Sequence, residues 1–471
     1  MASSLAKMAM TPVDGAPPRP TPPKRRLSIP SVGFKRILVL GSGSFGSCLA
    51  DHLADVGHVV RIWSRSQETV DTFNNHNRNN KYLTDHAFSK RLRAVGPDFP
   101  PLEDLEKFDV LVFAIPTQHM GGILQKCGAL FKAEQTENSR LPLLVFANKG
   151  IEIGSCYLPI EIIERELGKE VARTSTFLSG PSFAKEVCQR MPTQVTIASF
   201  SSTHAELACE VFHQPHFLTF SSADPIGVEL AGALKNVYAI ASGVSTGLGF
   251  GQNTRAGLVT RASAEMQMIG QQFQADPMTF LSLAGMGDLF MTCGSENSRN
   301  FTVGRRLGQG EDLKYILETL GSTAEGVETV KAAHELLERI EVKAPIAEAV
   351  YDLLYGDMKA DDLAQRLMGL PSMPENLRPK VRRNSHSQRF YDSIGHMSPH
   401  VTPDASPFAT PSGSPTGSPK LGATKVSGSP GSTSPRNSSS NGSPTGSPPS
   451  ENGPNGKSWL ASRVHSGRGG N

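Results

Sequence analysis

Cysteine is scarce and scattered: the 471 residues hold six, Cys48, Cys127, Cys156, Cys188, Cys209 and Cys293, each standing alone without metal-ligand spacing. That distribution argues against a disulfide framework, offers no ligand set for a metal, and fits reduced thiols in a reducing compartment. Long apolar runs are missing too, so no segment reads as a membrane span. The formal net charge is only +3, and no long basic stretch interleaved with aromatics occurs in residues 33–370. Nucleic acid is therefore not an expected partner. The N-terminal residues lack the continuous apolar core of a secretory signal. Their serines and basic residues, with the single acid Asp14, leave an organelle transit peptide open beside the cytoplasmic expectation.

Large apolar side chains are also sparse at both ends of the chain. Residues 1–32 place Pro17, Pro18, Pro20, Pro22 and Pro23 before Lys24, Arg25 and Arg26. Residues 371–471 turn to Ser, Pro, Gly and Asn, and the heptapeptide Gly-Ser-Pro-Thr-Gly-Ser-Pro at 413–419 recurs unchanged at 442–448. Such segments bury too little surface to offset their chain entropy, so both are expected to be disordered tails. The 38% hydrophobic content is then concentrated in residues 33–370, enough for a folded core.

Glycine is abundant where it matters most. The apolar run Ile37, Leu38, Val39, Leu40 leads directly into Gly41-Ser42-Gly43-Ser44-Phe45-Gly46, and residues 47–56 can follow as a helix. A second apolar run, 59–63, comes after Gly57-His58, at the distance a βαβ unit requires. In this pattern the first glycine permits a tight turn, the second lets a pyrophosphate approach the backbone, and the third lets helix and strand pack. A dinucleotide is the expected ligand. The end of the second strand normally selects the cofactor, through a carboxylate for a free ribose hydroxyl or an arginine for a ribose phosphate. Here it reads Ser64-Arg65-Ser66, with Glu68 the nearest acid. Arg65 is open to stacking on adenine, pairing with a phosphate, or standing in solvent. NAD and NADP both remain candidates.

Two further apolar segments, 109–117 and 143–150, read as buried strands stopped by a proline and by Lys149-Gly150. Near-continuous apolar strands separated by helical stretches imply a parallel sheet covered on both faces, in an α/β fold. Ligands of such sheets lie beyond the strands' C-terminal ends, which places Pro116, Thr117 and Lys149 beside the cofactor. Lys149 also fits an ordinary loop lysine. After residue 221 the pattern becomes helical. Lys235, amid apolar and small neighbours, either snorkels from a packed helix, which its flanks alone favour, or is held in a cleft. The glycine-dense 243–251 stretch suits close packing or a mobile wall. Asp288 reads as a helix cap or a site residue, and Arg299 as a surface cation or a ligand.

Read together, these motifs resemble one family. The glycine loop, Phe146-Ala147-Asn148-Lys149-Gly150, Ser179-Gly180-Pro181-Ser182-Phe183-Ala184, Gly232-Ala233-Leu234-Lys235-Asn236, Gly285-Met286-Gly287-Asp288 and Ser298-Arg299-Asn300 stand in the order of the NAD(P)-dependent glycerol-3-phosphate dehydrogenases, bacterial-type branch. The resemblance covers about residues 33–370. It implies an N-terminal Rossmann domain at 33–221, a C-terminal all-helical catalytic domain at 222–370, a homodimer, and an active site between the domains. Its implied reaction interconverts dihydroxyacetone phosphate and glycerol 3-phosphate with NAD, or NADP, at the junction of glycerol and glycerophospholipid metabolism.

By the same likeness Lys235 is the proton donor and acceptor at the substrate's C2 oxygen, reversing the snorkelling preference, and Lys149 and Asp288 complete the catalytic cluster. Gly180, Ser182 and Asn236 line the substrate. Ser298, Arg299 and Asn300 bind substrate phosphate and cofactor, while Ser44, Phe45, Arg65, Ala184 and Glu325 contact the dinucleotide. The family varies at the position of Arg65, and Ser182 stands where threonine is commoner. The runner-up reading is a β-hydroxyacid dehydrogenase or ketopantoate-type reductase, which also uses a catalytic lysine. The C-terminal tail carries Ser-Pro and Thr-Pro steps, such as Ser418-Pro419-Lys420 and Ser434-Pro435-Arg436, that suit proline-directed kinases. Arg25-Arg26-Leu27-Ser28 and Arg382-Arg383-Asn384-Ser385 suit basic-directed ones. The tail is accordingly either a phosphoregulated interaction segment or a passive one.

Overall fold

The computed structural model describes residues 33, 35–132, 141–321 and 324–368. The expectations for the two tails lie outside the described residues. Eight strands form one sheet in the order β3-β2-β1-β4-β5-β6-β7-β8. They are β1 (Arg36–Leu40), β2 (Val59–Trp63), β3 (Arg93–Val95), β4 (Val110–Phe113), β5 (Leu143–Phe146), β6 (Thr176–Ser179), β7 (Thr193–Ala198) and β8 (Phe217–Ser222). From β3 through β6 all neighbours run parallel. The strand order reverses between β1 and β4, and at such a switch point the connections leave in opposite directions, opening a crevice beyond the strand ends.

One step departs from the expected parallel sheet: β7 runs antiparallel to β6, with β8 parallel to β7. The 180–192 connection carries only the one-turn helix Ala184–Cys188, too little to cross over the sheet, so the chain returns alongside its own strand.

Burial on both faces is direct. Leu38, Leu40, Leu111, Phe113, Leu144 and Phe146 face one core layer. The alternating residues Ile37, Val39, Val110, Val112, Leu143 and Val145 face the other. This period of two with both sets apolar is what a sheet covered on both sides demands. Phe113 stacks on Phe146 with centroids 4.5 Å apart, and Phe146 on Phe177 at 5.7 Å. The strands at 109–117 and 143–150 end earlier than their apolar runs, at Phe113 and Phe146. The amides of Ala114 and Ala147 still donate to Leu40 and Phe113 at 2.9 Å, and the chain then leaves the sheet toward the crevice.

The helical half is organised by Pro225–Gly247, which Asp224 caps through the Gly227 amide at 2.9 Å. Every residue from Pro225 to Ser245 is buried. It lies against the helix Arg299–Gly308 so closely that glycine is obligatory on both sides. A Cβ at Gly243 would stand 2.1 Å from the Phe301 carbonyl oxygen, and one at Gly304 1.9 Å from that of Ile240. The first part of the glycine-dense stretch therefore serves close packing rather than a mobile wall.

Candidate active site

The loop after β1 is shaped by its glycines. Gly41 has φ +115°, and a Cβ there would meet the Ala114 carbonyl oxygen at 2.4 Å. A Cβ at Gly46 would lie 2.0 Å from the Gly41 carbonyl oxygen, whereas one at Gly43 would meet nothing within 4 Å. The loop is pinned from outside. Ser42 Oγ donates to Ser64 Oγ at the end of β2 (2.9 Å), and its carbonyl accepts from Asn79 Nδ2 (2.9 Å) and Ser47 Oγ (3.2 Å). The following helix starts at Ser44, three residues earlier than its apolar pattern indicated. Its N-cap is Gly43, with no capping side chain and no acid in the first turn. Free amides, open space over the second glycine and the positive end of a helix together fit a pyrophosphate.

This loop forms one wall of a cleft of about 520 Å³. The other walls come from the ends of β2, β4 and β5 and from the helical half. At its base Asp288, the first residue of the helix Asp288–Cys293, has no solvent exposure. Its Oδ1 accepts from Lys235 Nζ at 2.5 Å and its Oδ2 from Lys149 Nζ at 2.7 Å. Thr292 Oγ1 also accepts from Lys235 Nζ, at 2.9 Å, and donates to Asp288 Oδ1 at 3.2 Å. The Lys149 ammonium lies 5.8 Å from the centre of the Phe45 ring in the glycine loop.

Lys235 is 6% exposed, so it does not snorkel. Burial lowers its ammonium to about 8, with the Lys149 charge adding to the fall and Asp288 opposing it. The neighbouring Lys149 charge does lower the proton affinity of Lys235, but desolvation is the larger cause. Burial by itself would raise the Asp288 carboxyl. The Lys149 and Lys235 charges more than reverse that, so it stays ionised below the usual carboxylate range. The arrangement is a proton-loaded amine near neutrality, held in place by a permanent anion, which is what a general acid and base requires.

Across the cleft, Ser298 Oγ accepts from the Phe301 amide at 3.3 Å and caps the helix that begins at Arg299. Asn300 Oδ1 accepts from the Gly326 amide at 3.0 Å. The half-buried Glu325 carboxyl is pushed up to about 7 by desolvation, against the pull of Arg299.

Two family models match the chain. One, described as the NAD-dependent glycerol-3-phosphate dehydrogenase N-terminus, spans residues 36–205, and the corresponding C-terminus spans 224–365. The chain belongs to the NAD-dependent glycerol-3-phosphate dehydrogenase family. A Leptospira biflexa protein named glycerol-3-phosphate dehydrogenase [NAD(P)+] is 42% identical over 333 residues, 71% of this chain and 97% of that protein. One of the same name from Lactiplantibacillus plantarum is 36% identical over 342 residues, 73% and 99% respectively. The crystal structure of glycerol-3-phosphate dehydrogenase from Coxiella burnetii superposes with a TM-score of 0.65 at 32% identity, covering 71% of this chain and 99% of that one.

Within this dehydrogenase fold the cleft gathers Gly41, Gly43, Ser44, Phe45, Arg65, Pro116, Lys149, Ser182, Ala184, Lys235, Asn236, Asp288, Ser298, Arg299, Asn300 and Glu325. Three expected residues do not line it. Gly46 is buried under the turn. Gly180 (φ +137°) supplies a backbone bend tight against Val195, and its carbonyl accepts from Ser182 Oγ at 3.0 Å. Thr117 is buried behind Gly150. Each is held away from the ligand space by backbone packing that spacing alone does not reveal.

Thr292 and Asn79 went unforeseen. Thr292 stands four residues after Asp288, one turn along the same helix face, and that spacing was its available signal. Asn79 is nearly fully buried, and its Oδ1 also holds the Lys81 and Tyr82 amides at 2.9 and 3.0 Å. In sequence it is one asparagine among several in a polar loop, with nothing to mark it.

Proposed function

We propose that this chain catalyses reversible hydride transfer between NAD(P)H and dihydroxyacetone phosphate, yielding sn-glycerol 3-phosphate. The observation that carries the reading is the pair of ammonium groups sharing one buried carboxylate, Asp288, in a cleft whose opposite wall is the glycine loop. Residues 33–221 serve as the cofactor-binding unit and 222–370 as the helical catalytic unit.

The reduced nicotinamide, when bound, supplies the hydride. Lys235 donates a proton to the C2 oxygen as negative charge grows there, and takes it back in the oxidation direction. Asp288 orients Lys235 and offsets one of the two ammonium charges, while Lys149 adds positive charge toward the substrate. Thr292 fixes the Lys235 ammonium from a second side. Ser182, Asn236 and the Gly180 backbone shape the substrate end. Ser298, Arg299 and Asn300 hold the substrate phosphate, with Arg299 reaching toward the cofactor. Gly41, Gly43, Ser44, Phe45, Pro116, Ala184 and Glu325 frame the dinucleotide, Gly46 closing the turn beneath it.

Either cofactor suits the adenosine end. The acids among the lining residues are Asp288 and Glu325, neither near β2, while the exposed Arg65 stands at the end of β2. The enzyme acts as a homodimer in the cytoplasm, and among the described residues no helix is long and apolar enough to cross a membrane. The C-terminal tail is read as a kinase-addressed segment. The deciding assay follows absorbance at the reduced-nicotinamide band with dihydroxyacetone phosphate and NADH or NADPH in parallel. Oxidation of either cofactor with this ketone, and none with 2-ketopantoate, is the expected result. No turnover with the triose phosphate would refute the reading.

A further inference from the structure

Behind the glycine-loop helix four side chains converge that the hydride-transfer chemistry does not use. Cys48 and Asp51 come from the helix Ser44–Val56, His86 from the loop before β3, and Cys188 from the end of the helix Ala184–Cys188. None of them lines the cleft. His86 Nε2 stands 2.8 Å from Asp51 Oδ2, and Asp51 Oδ1 accepts from the Ser89 amide at 2.6 Å. The reactive atoms of Asp51, His86 and Cys188 all lie within 4.8 Å of one another. The Cys188 sulfur accepts hydrogen bonds from the Cys48 thiol and from His86. Cys48 has no exposure, whereas Cys188 is partly open to solvent.

We propose that Cys188 is a thiolate that reacts with hydroperoxides and that Cys48 is its resolving thiol, making this corner a reversible modification site. A carboxylate and an imidazole gathered around a sulfur are the kind of surroundings that make a thiol nucleophilic. In the first step the Cys188 thiolate attacks a peroxide oxygen. The O–O bond breaks, sulfur is oxidised to the sulfenic acid, and the leaving hydroxide takes a proton to become water. In the second, the Cys48 thiol attacks that sulfur, an S–S bond forms, the S–O bond breaks and a second water leaves. Overall two thiols and one hydrogen peroxide give one disulfide and two waters.

The thiols are not equivalent. The Cys48 hydrogen bond, followed by His86, holds Cys188 well below the usual thiol range despite its burial. Burial pushes Cys127 and Cys293 up to about 12, and Cys156 and Cys209 up to about 11. The Asp51 hydrogen bond raises His86 to about 10, so it remains an imidazolium. A cation would need that ring neutral.

The test treats the full chain with a small excess of hydrogen peroxide and maps thiols by differential alkylation and mass spectrometry, without reference to catalysis. The expected result is loss of two free thiols, a Cys48–Cys188 disulfide, and recovery with dithiothreitol. Cys48→Ser, or Cys48→Ala if the serine variant misfolds, should instead accumulate a sulfenic acid at Cys188 that dimedone traps. His86→Gln should slow Cys188 oxidation about tenfold. Equal oxidation of all six cysteines, an unchanged rate of Cys48 oxidation in Cys188→Ser, or stoichiometric zinc in the full chain that Cys188→Ser loses, would each overturn the proposal.

Discussion

Lys149 and Asp288 are 139 positions apart in the chain, yet the ammonium of one donates to the carboxylate of the other at 2.7 Å. The bond joins the loop after β5 to the helical half, and Lys235 completes it from the long helix beside it. Two cations thus depend on one fully buried anion. Asp288→Asn would remove that anion and leave both ammonium groups facing an amide. Stranding charge in this way costs about 3 kcal/mol where burial is high. Thermal denaturation at neutral pH should show a clear fall in midpoint. Adding Lys235→Met to the same chain should restore part of it, since one stranded charge is then gone.

Turnover should depend on Lys235 more than binding does. Lys235→Ala removes the proton donor and should lower kcat by about 10²–10⁴-fold. The dissociation constant for the reduced dinucleotide, read by nicotinamide fluorescence, should change little. Lys235→Arg should not rescue the reaction, because a guanidinium does not give up its proton at working pH.

How far the sequence discloses this site depends on distance along the chain. Gly41, Gly43 and Gly46 are legible because a turn between strand and helix is local chemistry, and the alternating cores of β1, β4 and β5 follow from two-residue periodicity. Lys235 is different. Its apolar flanks describe a buried helix, and only a partner 53 positions away turns a snorkelling lysine into an enclosed one. The antiparallel step at β7 and the anchoring by Asn79 were equally hidden, since both are set by what the folded chain places alongside.

The second and third glycines of the loop should separate function from stability. At Gly43 a methyl group would enter open space, the space assigned to the pyrophosphate, and φ is −69°. Gly43→Ala should therefore melt like the parent while losing dinucleotide affinity. Gly46→Ala would force a methyl to 2.0 Å from a backbone oxygen. It should cost about 1–3 kcal/mol or more of stability, as overpacking does. Paired melting curves and cofactor titrations check both.

Cofactor choice should turn on Arg65. If its guanidinium meets a ribose phosphate, Arg65→Ala removes a charge-assisted contact of about 1.5–3 kcal/mol, and KM for NADPH rises about 10–100-fold. KM for NADH should stay within a small factor. Equal losses with both cofactors would point instead to stacking on the adenine that the two share.

The pH profile should carry the mark of Lys235, whose burial lowers it to about 8. Reduction of the ketone needs the ammonium form, so kcat/KM in that direction should be level below about pH 8 and fall about tenfold per unit above it. Oxidation needs the neutral amine, so its rate should rise through the same point and level off beyond it. Lys149 contributes to the lowering as a like charge. Lys149→Ala should accordingly move both limbs to higher pH, whatever it does to the maximal rate. Matched initial-rate profiles of the parent and this variant, in both directions, measure the displacement. A shift toward lower pH would mean that Lys149 does not act on Lys235 through its charge.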